Sequence, residues 1–382
     1  MSLKNIALFG ANGQIGSSVL KALAECKTQD FNILAIIAPD SPSPDSASSK
    51  NVTVKEIDLL HTSRQEMAEV LKGIDAVVSA LNGPVLDAQI SIQDGAADAG
   101  VKRFIPSEYG MHHIYRKPND PQGYMHPLWD AKNRLNERAI LQPAIKEGKM
   151  SYTMIGCGDF YNQDREKVWC PWTQKDVEEY TLHVIGDPDA KADYTHIDDF
   201  GRYVTACLCE PEKSENQHLN FPSDHISHTE IKQLLEKYSG KKVKLDTMGE
   251  EKMHEVVADP ESAPKELQNQ SSFPVDFWFL VKGMQGSGRF WRPRGMNHND
   301  LFAEIKPTVS LRLLTWLLSR DLTDMIHRLL RRTSGNASRG LEISQIAQTI
   351  SENIEDKYTM IQRMLQSILF LLFRSSASLL RQ

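Results

Sequence analysis

Two rhythms alternate along the first 156 residues. Short, nearly unbroken apolar runs occupy residues 4–9, 32–37, 52–57, 75–81, 103–106 and 151–155. Between them, apolar positions recur with helical spacing over 14–26, 63–72, 84–99 and 128–147. Runs such as "AVVSAL" carry no polar alternation, which suits strands buried on both faces of a parallel sheet. Strand alternating with helix predicts an α/β fold built on a doubly wound parallel sheet. Ligands of such sheets sit at the carboxyl ends of the strands. The stretch 39–51, "PDSPSPDSASSKN", reads as a polar loop after the second strand.

Beyond residue 156 the pattern loosens. "YTHIDDFGRYVTACLCEP" reads as a strand end followed by a helix, and "HTEIKQLLEKYSGKK" as a helix stopped by Gly240. Residues 311–382 differ in charge: ten Lys and Arg against six Asp and Glu give +4, while the whole chain is −6, so the rest is −10. The expected organisation is a dinucleotide-type domain over 1–156, a substrate-side lobe with interleaved sheet elements over 157–310, and a helical extension over 311–382.

The join between the first strand and first helix is "NIALFGANGQIGSSVLKAL". Gly10, Gly13 and Gly16 stand three apart where a strand becomes a helix. Glycine costs roughly 1 kcal/mol against alanine inside regular structure, so the cluster marks a geometry other residues cannot reach. Bare backbone N–H groups and a helix start suit a pyrophosphate. Gly10 is expected to make the tight turn, Gly13 to admit the phosphates and Gly16 to let helix pack on strand, with Asn12, Gln14 and Ile15 beside them. The spacing G-x-x-G-x-x-G differs from G-x-G-x-x-G, and no Lys-Ser/Thr follows as in a nucleoside-triphosphate loop. Directly after the first apolar run, the triplet points to the dinucleotide site of a Rossmann-type sheet, although an ordinary tight connection would use the same residues.

The 382 residues are 40% hydrophobic and 25% charged, enough for one large or two smaller domains. A net charge of −6 gives no reason to expect nucleic acid. Five cysteines form no CxxC pair, so neither a disulfide framework nor a metal site is expected. Cys207 and Cys209 are expected together in the core of one helix. The first strand starts too early for a signal peptide and no run of 18 apolar residues occurs, so a cytoplasmic protein without a membrane span is expected.

Three stretches carry candidate chemistry. "RFIPSEYG" brings Ser107, Glu108 and Tyr109 to a strand end. "HPLWDAKNRLNERAI" places Lys132 in the second turn of a helix. "YTHIDDFGRYV" sets His196, Asp198 and Asp199 before another helix, where either carboxylate is expected to be an N-cap. A Y-x-x-x-K pair, Tyr238 and Lys242, is discounted because Gly240 interrupts the helix that would align it. Tyr109 has His113, not lysine, four residues on.

On "GANGQIG", "DAVVSAL", "KRFIPSEYG", the Lys132 helix, "THIDDFGRYV" and "NDLFAEIKP", the chain resembles the NmrA-like, isoflavone-reductase-like atypical short-chain dehydrogenases, from about residue 4 to about 308. The resemblance implies NADP(H), a small-molecule substrate and a catalytic role for Lys132, which would bind the nicotinamide ribose and transfer a proton. It also implies that Phe160 and Tyr161, in "DFYNQDREKVWCPW", help line the substrate pocket with Ser107 and Tyr109. NADP-dependent relatives carry an arginine after the second strand; here the position is Ala38, which keeps NAD(H) open. The expected activity is NAD(P)H-dependent reduction of a carbonyl or conjugated double bond in an aromatic or polyketide-like natural product. The competing reading is a dinucleotide-binding redox sensor without turnover. A homodimer is compatible with both.

Overall fold

The computed structural model describes residues 2–110, 126–174, 176–293 and 295–309. His113 and the 311–382 extension lie outside these residues.

The first half alternates strand and helix: β1 Asn5–Phe9, α1 Gln14–Ala24, β2 Asn32–Ile37, β3 Val52–Glu56, α2 Arg64–Val70, β4 Ala76–Ser79, α3 Gln89–Asp98, β5 Arg103–Ile105, α4 Pro127–Leu141, α5 Pro143–Lys146 and β6 Ser151–Gly156. The second half continues with β7 Asp159–Phe160, β8 Glu179–Ile185, β9 Lys191–Thr195, α6 Ile197–Cys209, α7 Pro211–Ser214, β10 Gln217–Asn220, β11 Asp224–Ser227, α8 His228–Ser239, β12 Lys242–Met248, α9 Glu250–Ala258 and α10 Val275–Gly286.

Seven strands form one sheet in the order β10-β6-β5-β4-β1-β2-β3, every pair parallel. The order reverses between β1 and β4, the point where doubly wound sheets open a crevice for ligands. Successive residues of each strand face opposite layers. Ile6, Leu8 and Val78 pack with Val19, Leu20, Phe200 and Val204 from α1 and α6. Ala7, Phe9 and Val77 pack with Met67, Ile92, Ala96 and Leu135 from α2, α3 and α4 and with Leu71 just after α2. Burial on both faces explains why these strands read as unbroken apolar runs. The second half adds a sheet β11-β9-β7 and a parallel pair β12-β8.

Local departures from the sequence pattern have local causes. The 128–147 helix is two helices, because Pro143 has no N–H to continue the ladder and Gln142 turns extended, its side chain capping Ala144 N at 2.5 Å. The helix expected from residue 84 opens as a 3₁₀ turn, Gly83–Ala88, before α3. Neither carboxylate caps α6. His196 does, its Nδ1 accepting from Asp198 N at 3.2 Å. Asp199 is instead fully buried and accepts from Ser223 Oγ at 2.6 Å and Thr308 Oγ1 at 2.8 Å. Tyr238 lies in the last turn of α8 and Lys242 starts β12, with Gly240 between them at φ +69°, so that pair is not aligned on one helix. Among the described residues, no helix is long and apolar enough to cross a membrane.

Candidate active site

A cavity of about 570 Å³ opens along the carboxyl edge of the large sheet. One end lies on the glycine loop. Gly10 sits at φ +73°, and a Cβ there would come within 2.8 Å of Ala80 O on the neighbouring strand end. A Cβ on Gly16 would come within 2.0 Å of Gly10 O, so this glycine lets α1 close onto the turn. Gly13 is the N-cap residue of α1, and Ser17 N donates to its carbonyl at 2.8 Å. The first-turn N–H groups of α1 have no intrahelical acceptor and lie where an anion is favoured. Gly10, Asn12, Gly13, Gln14 and Ile15 line the cavity; Gly16 supports them from behind. Asn12 Nδ2 also donates to Pro42 O at 3.3 Å, tying the 39–51 loop to the glycine turn. Ala38, Pro39, Asp58 and Leu60 continue this wall.

At the centre stand β5 and α4. Ser107, Glu108 and Tyr109 follow β5 and all line the cavity. Ser107 N donates to Gln89 Oε1 at 2.8 Å, and Ser107 Oγ donates to Leu81 O at 2.6 Å. Tyr109 takes φ +46°, unusual for a ring-bearing residue, and its ring meets Phe200 edge-on at 4.6 Å. Burial pushes its phenol far above the ordinary range, so it stays protonated.

Lys132 projects from α4 into this group. Its Nζ donates to Glu108 O at 3.1 Å and Ser107 Oγ at 3.4 Å, and lies 5.8 Å from the Tyr109 ring centre. Lys132 is half-buried and lines the cavity. Desolvation holds its ammonium below the usual lysine range, against the opposing charge of Glu108. One helical turn on, Asn136 Nδ2 donates to the fully buried Glu108 carboxylate. The helix start is fixed by His126, whose Nδ1 accepts from Leu128 N while Nε2 meets Asp276 of α10 at 3.0 Å.

The other end of the cavity is aromatic: Trp129, Phe160, Trp169, Phe273, Phe277 and Phe290 line it. Phe273 and Phe277 enter from the start of α10 and just before it, positions the sequence reading did not single out. The density of rings in "FPVDFWF" was the available signal, and it reads equally as core. Tyr161 is a correction: it is not among the lining residues. Its ring packs against Tyr194 and His196 and its hydroxyl donates to Thr308 O, because β7 turns it away from Phe160. Trp172 is likewise buried behind the wall, donating to Tyr161 O at 2.7 Å. Lys132 is the one Lys, Arg or His among the described lining residues.

The NmrA-like family model matches residues 2–275. Among curated proteins, an isoflavone reductase homolog of Zea mays is 25% identical over 316 residues, covering 79% of this chain and 94% of its own. A phenylcoumaran benzylic ether reductase of Pinus taeda is 23% identical over 312 residues, covering 80% and 96%. The solved leucoanthocyanidin reductase ternary complex from Vitis vinifera superposes with a TM-score of 0.63 at 17% identity, covering 82% of this chain and 99% of that one. With nearly three quarters of its length matched, from the glycine turn to the start of α10, the chain belongs to the NmrA-like family.

Proposed function

We propose that this chain is a soluble, cytoplasmic NAD(P)H-dependent reductase, with NADP(H) as its main cofactor. Its substrate would be a small aromatic or polyketide-like natural product, reduced at a carbonyl or conjugated double bond. The observation that carries the reading is Lys132: one partly desolvated ammonium in a cavity that runs from the glycine loop to an aromatic wall.

The loop residues Gly10, Asn12, Gly13, Gln14 and Ile15 suit the dinucleotide phosphates, since the turn is bare of side chains where backbone must approach. Relatives support the cofactor class: a leucoanthocyanidin reductase was solved with NADPH, and another structural neighbour with NADP+ and pinoresinol. When bound, the dinucleotide supplies the hydride. The protein's own part is the proton and the charge. Reduction builds negative charge on a substrate oxygen or carbon, and a nearby donor must neutralise it. Ser107 Oγ gives its hydrogen to Leu81 O, so it faces Lys132 as an acceptor. Ser107 and Glu108 O occupy two of the three ammonium donors and leave the third for ribose or substrate. Trp129, Phe160, Trp169, Phe273 and Phe277 would hold a planar ring and exclude water, while Ser107 and Tyr109 border it.

The test is NADPH oxidation by the purified full chain over a panel of aromatic ketones and enones. Turnover with at least one class is expected. Tight NADPH binding with no turnover across the panel would replace this reading with a dinucleotide-responsive regulator.

A further inference from the structure

Away from the cavity, α1 and α6 lie side by side. Near the glycine loop they are locked by Ser18 Oγ, which donates to Ile197 O at 2.9 Å, and by Gly201, where a Cβ would come within 2.7 Å of Ser18 O. At the opposite end of the pair, Cys26 follows α1 and Cys209 is the last residue of α6. Their sulfurs are 3.7 Å apart. Thr28 Oγ1 bridges them, 3.3 Å from Cys26 Sγ and 3.4 Å from Cys209 Sγ. The expectation that Cys209 lies in the core with Cys207 is therefore corrected. Cys207 is fully buried, but Cys209 and Cys26 are only partly buried, at the edge of the core. The helix ends there, and α7 starts two residues later.

We infer that Cys26 and Cys209 are a peroxide-sensitive dithiol that closes to a disulfide joining α1 to α6. A disulfide needs about 2.05 Å between sulfurs, so closure asks the two sulfurs to approach by less than about 2 Å. The two thiols are chemically unequal. Burial pushes the Cys26 thiol up, but hydrogen bonds from Thr28, the Gln29 and Thr28 main chain and Cys209 outweigh it, and Cys26 is held below the ordinary 9.0. Burial raises Cys209 to about 11. Cys26 is then the attacking thiolate and Cys209 the resolving thiol. The Cys26 thiolate attacks one peroxide oxygen and the O–O bond breaks. The leaving hydroxide takes a proton as water, and Cys26 becomes a sulfenic acid. Cys209 sulfur attacks Cys26 sulfur and loses its proton, the S–O bond breaks, and a second water leaves. Two electrons pass from the two thiols to the peroxide. The remaining cysteines do not compete: Cys157, Cys170 and Cys207 are fully buried, and burial keeps their thiols protonated.

The experiment treats the full chain with a few equivalents of hydrogen peroxide at neutral pH, followed by non-reducing peptide mapping. The expected product is the Cys26 peptide linked to the Cys209 peptide, released by dithiothreitol. Before oxidation, iodoacetamide is expected to modify Cys26 roughly tenfold or more faster than Cys207. Cys209→Ser should leave a dimedone-reactive sulfenic acid at Cys26, and Cys26→Ser should leave Cys209 unoxidised under the same dose. A native thermal transition with no linked peptide in the parent chain overturns the inference. So does linkage of Cys26 to any other cysteine. Neither readout involves cofactor or substrate, so the result is independent of the reductase reading.

Discussion

At the level of single residues, the proposed function is tested most directly at Lys132 and Ala38. Lys132→Ala should lower turnover by roughly 100- to 1,000-fold while leaving most cofactor affinity, because the glycine loop is untouched. Lys132→Arg should not restore the rate, since a guanidinium stays protonated and has a different shape. In the proposed mechanism the protonated lysine is the donor. Its rate contribution is therefore present at lower pH and lost as pH rises through a value held below the usual lysine range. The parent's alkaline limb should disappear in Lys132→Ala, as stopped-flow hydride transfer across pH would read. In the proposed NADP(H) site Ala38 takes the position of the relatives' phosphate-binding arginine, and no Lys or Arg other than Lys132 is among the described lining residues. Ala38→Arg should improve NADPH over NADH affinity by about tenfold, or roughly 1.4 kcal/mol, by calorimetry with both cofactors. Gly10 was legible as a turn residue because it follows β1 directly, whereas the proposed roles of Lys132 and Ala38 come only from the family resemblance. Phe273 and Phe277 were not legible, because they reach the cavity through tertiary packing of a distant helix. Nothing local separates a pocket ring from a core ring.

At the level of elements, the periodicity fixed strands and helices well where burial is two-sided, and missed boundaries where one residue overrides it, as at Pro143. It also concealed Arg103. This residue lies inside a strand yet is fully buried, with no carboxylate at its fork. Its donors reach Ser151 Oγ at 2.7 Å, Thr153 Oγ1 at 2.8 Å, Ser214 Oγ at 2.9 Å and Pro211 O at 3.0 Å. The three hydroxyls give their own hydrogens to Lys102 O, Ser214 O and Cys207 O, so each turns a lone pair toward the guanidinium. One side chain thus ties β5 and β6 to the α6–α7 corner. Arg103→Lys loses the planar fork, and Arg103→Leu leaves the acceptors buried and unmatched. Each should cost about 2–3 kcal/mol, seen as a lower urea midpoint.

For the whole molecule, one buried imidazole contributes a defined part of the acid response. His228, at the start of α8, is almost fully buried near Lys282, and burial then that positive charge lower it from 6.5 to about 3. Above pH 6.5 neither the folded nor the unfolded chain carries this proton, and the site has no effect. Between about 6.5 and 3 the unfolded chain binds a proton that the folded chain refuses, so stability falls as pH drops. The slope contributed is up to about 1.4 kcal/mol per pH unit. His228→Gln should flatten urea-unfolding stability between pH 7 and pH 5 by that fraction; an unchanged slope would assign the acid sensitivity to other groups.

The sheet order has a consequence for synthesis on the ribosome. β6 is complete at residue 156, but its outer neighbour β10 comes only at residues 217–220. The corner that receives Arg103 emerges just before it, at residues 211–214. A nascent chain that has just released β6 therefore holds an open row of N–H and C=O groups beside an arginine lacking two of its acceptors. An exposed parallel edge of this kind recruits other strands. A chaperone that shields this edge is therefore expected to act while residues 156–217 emerge.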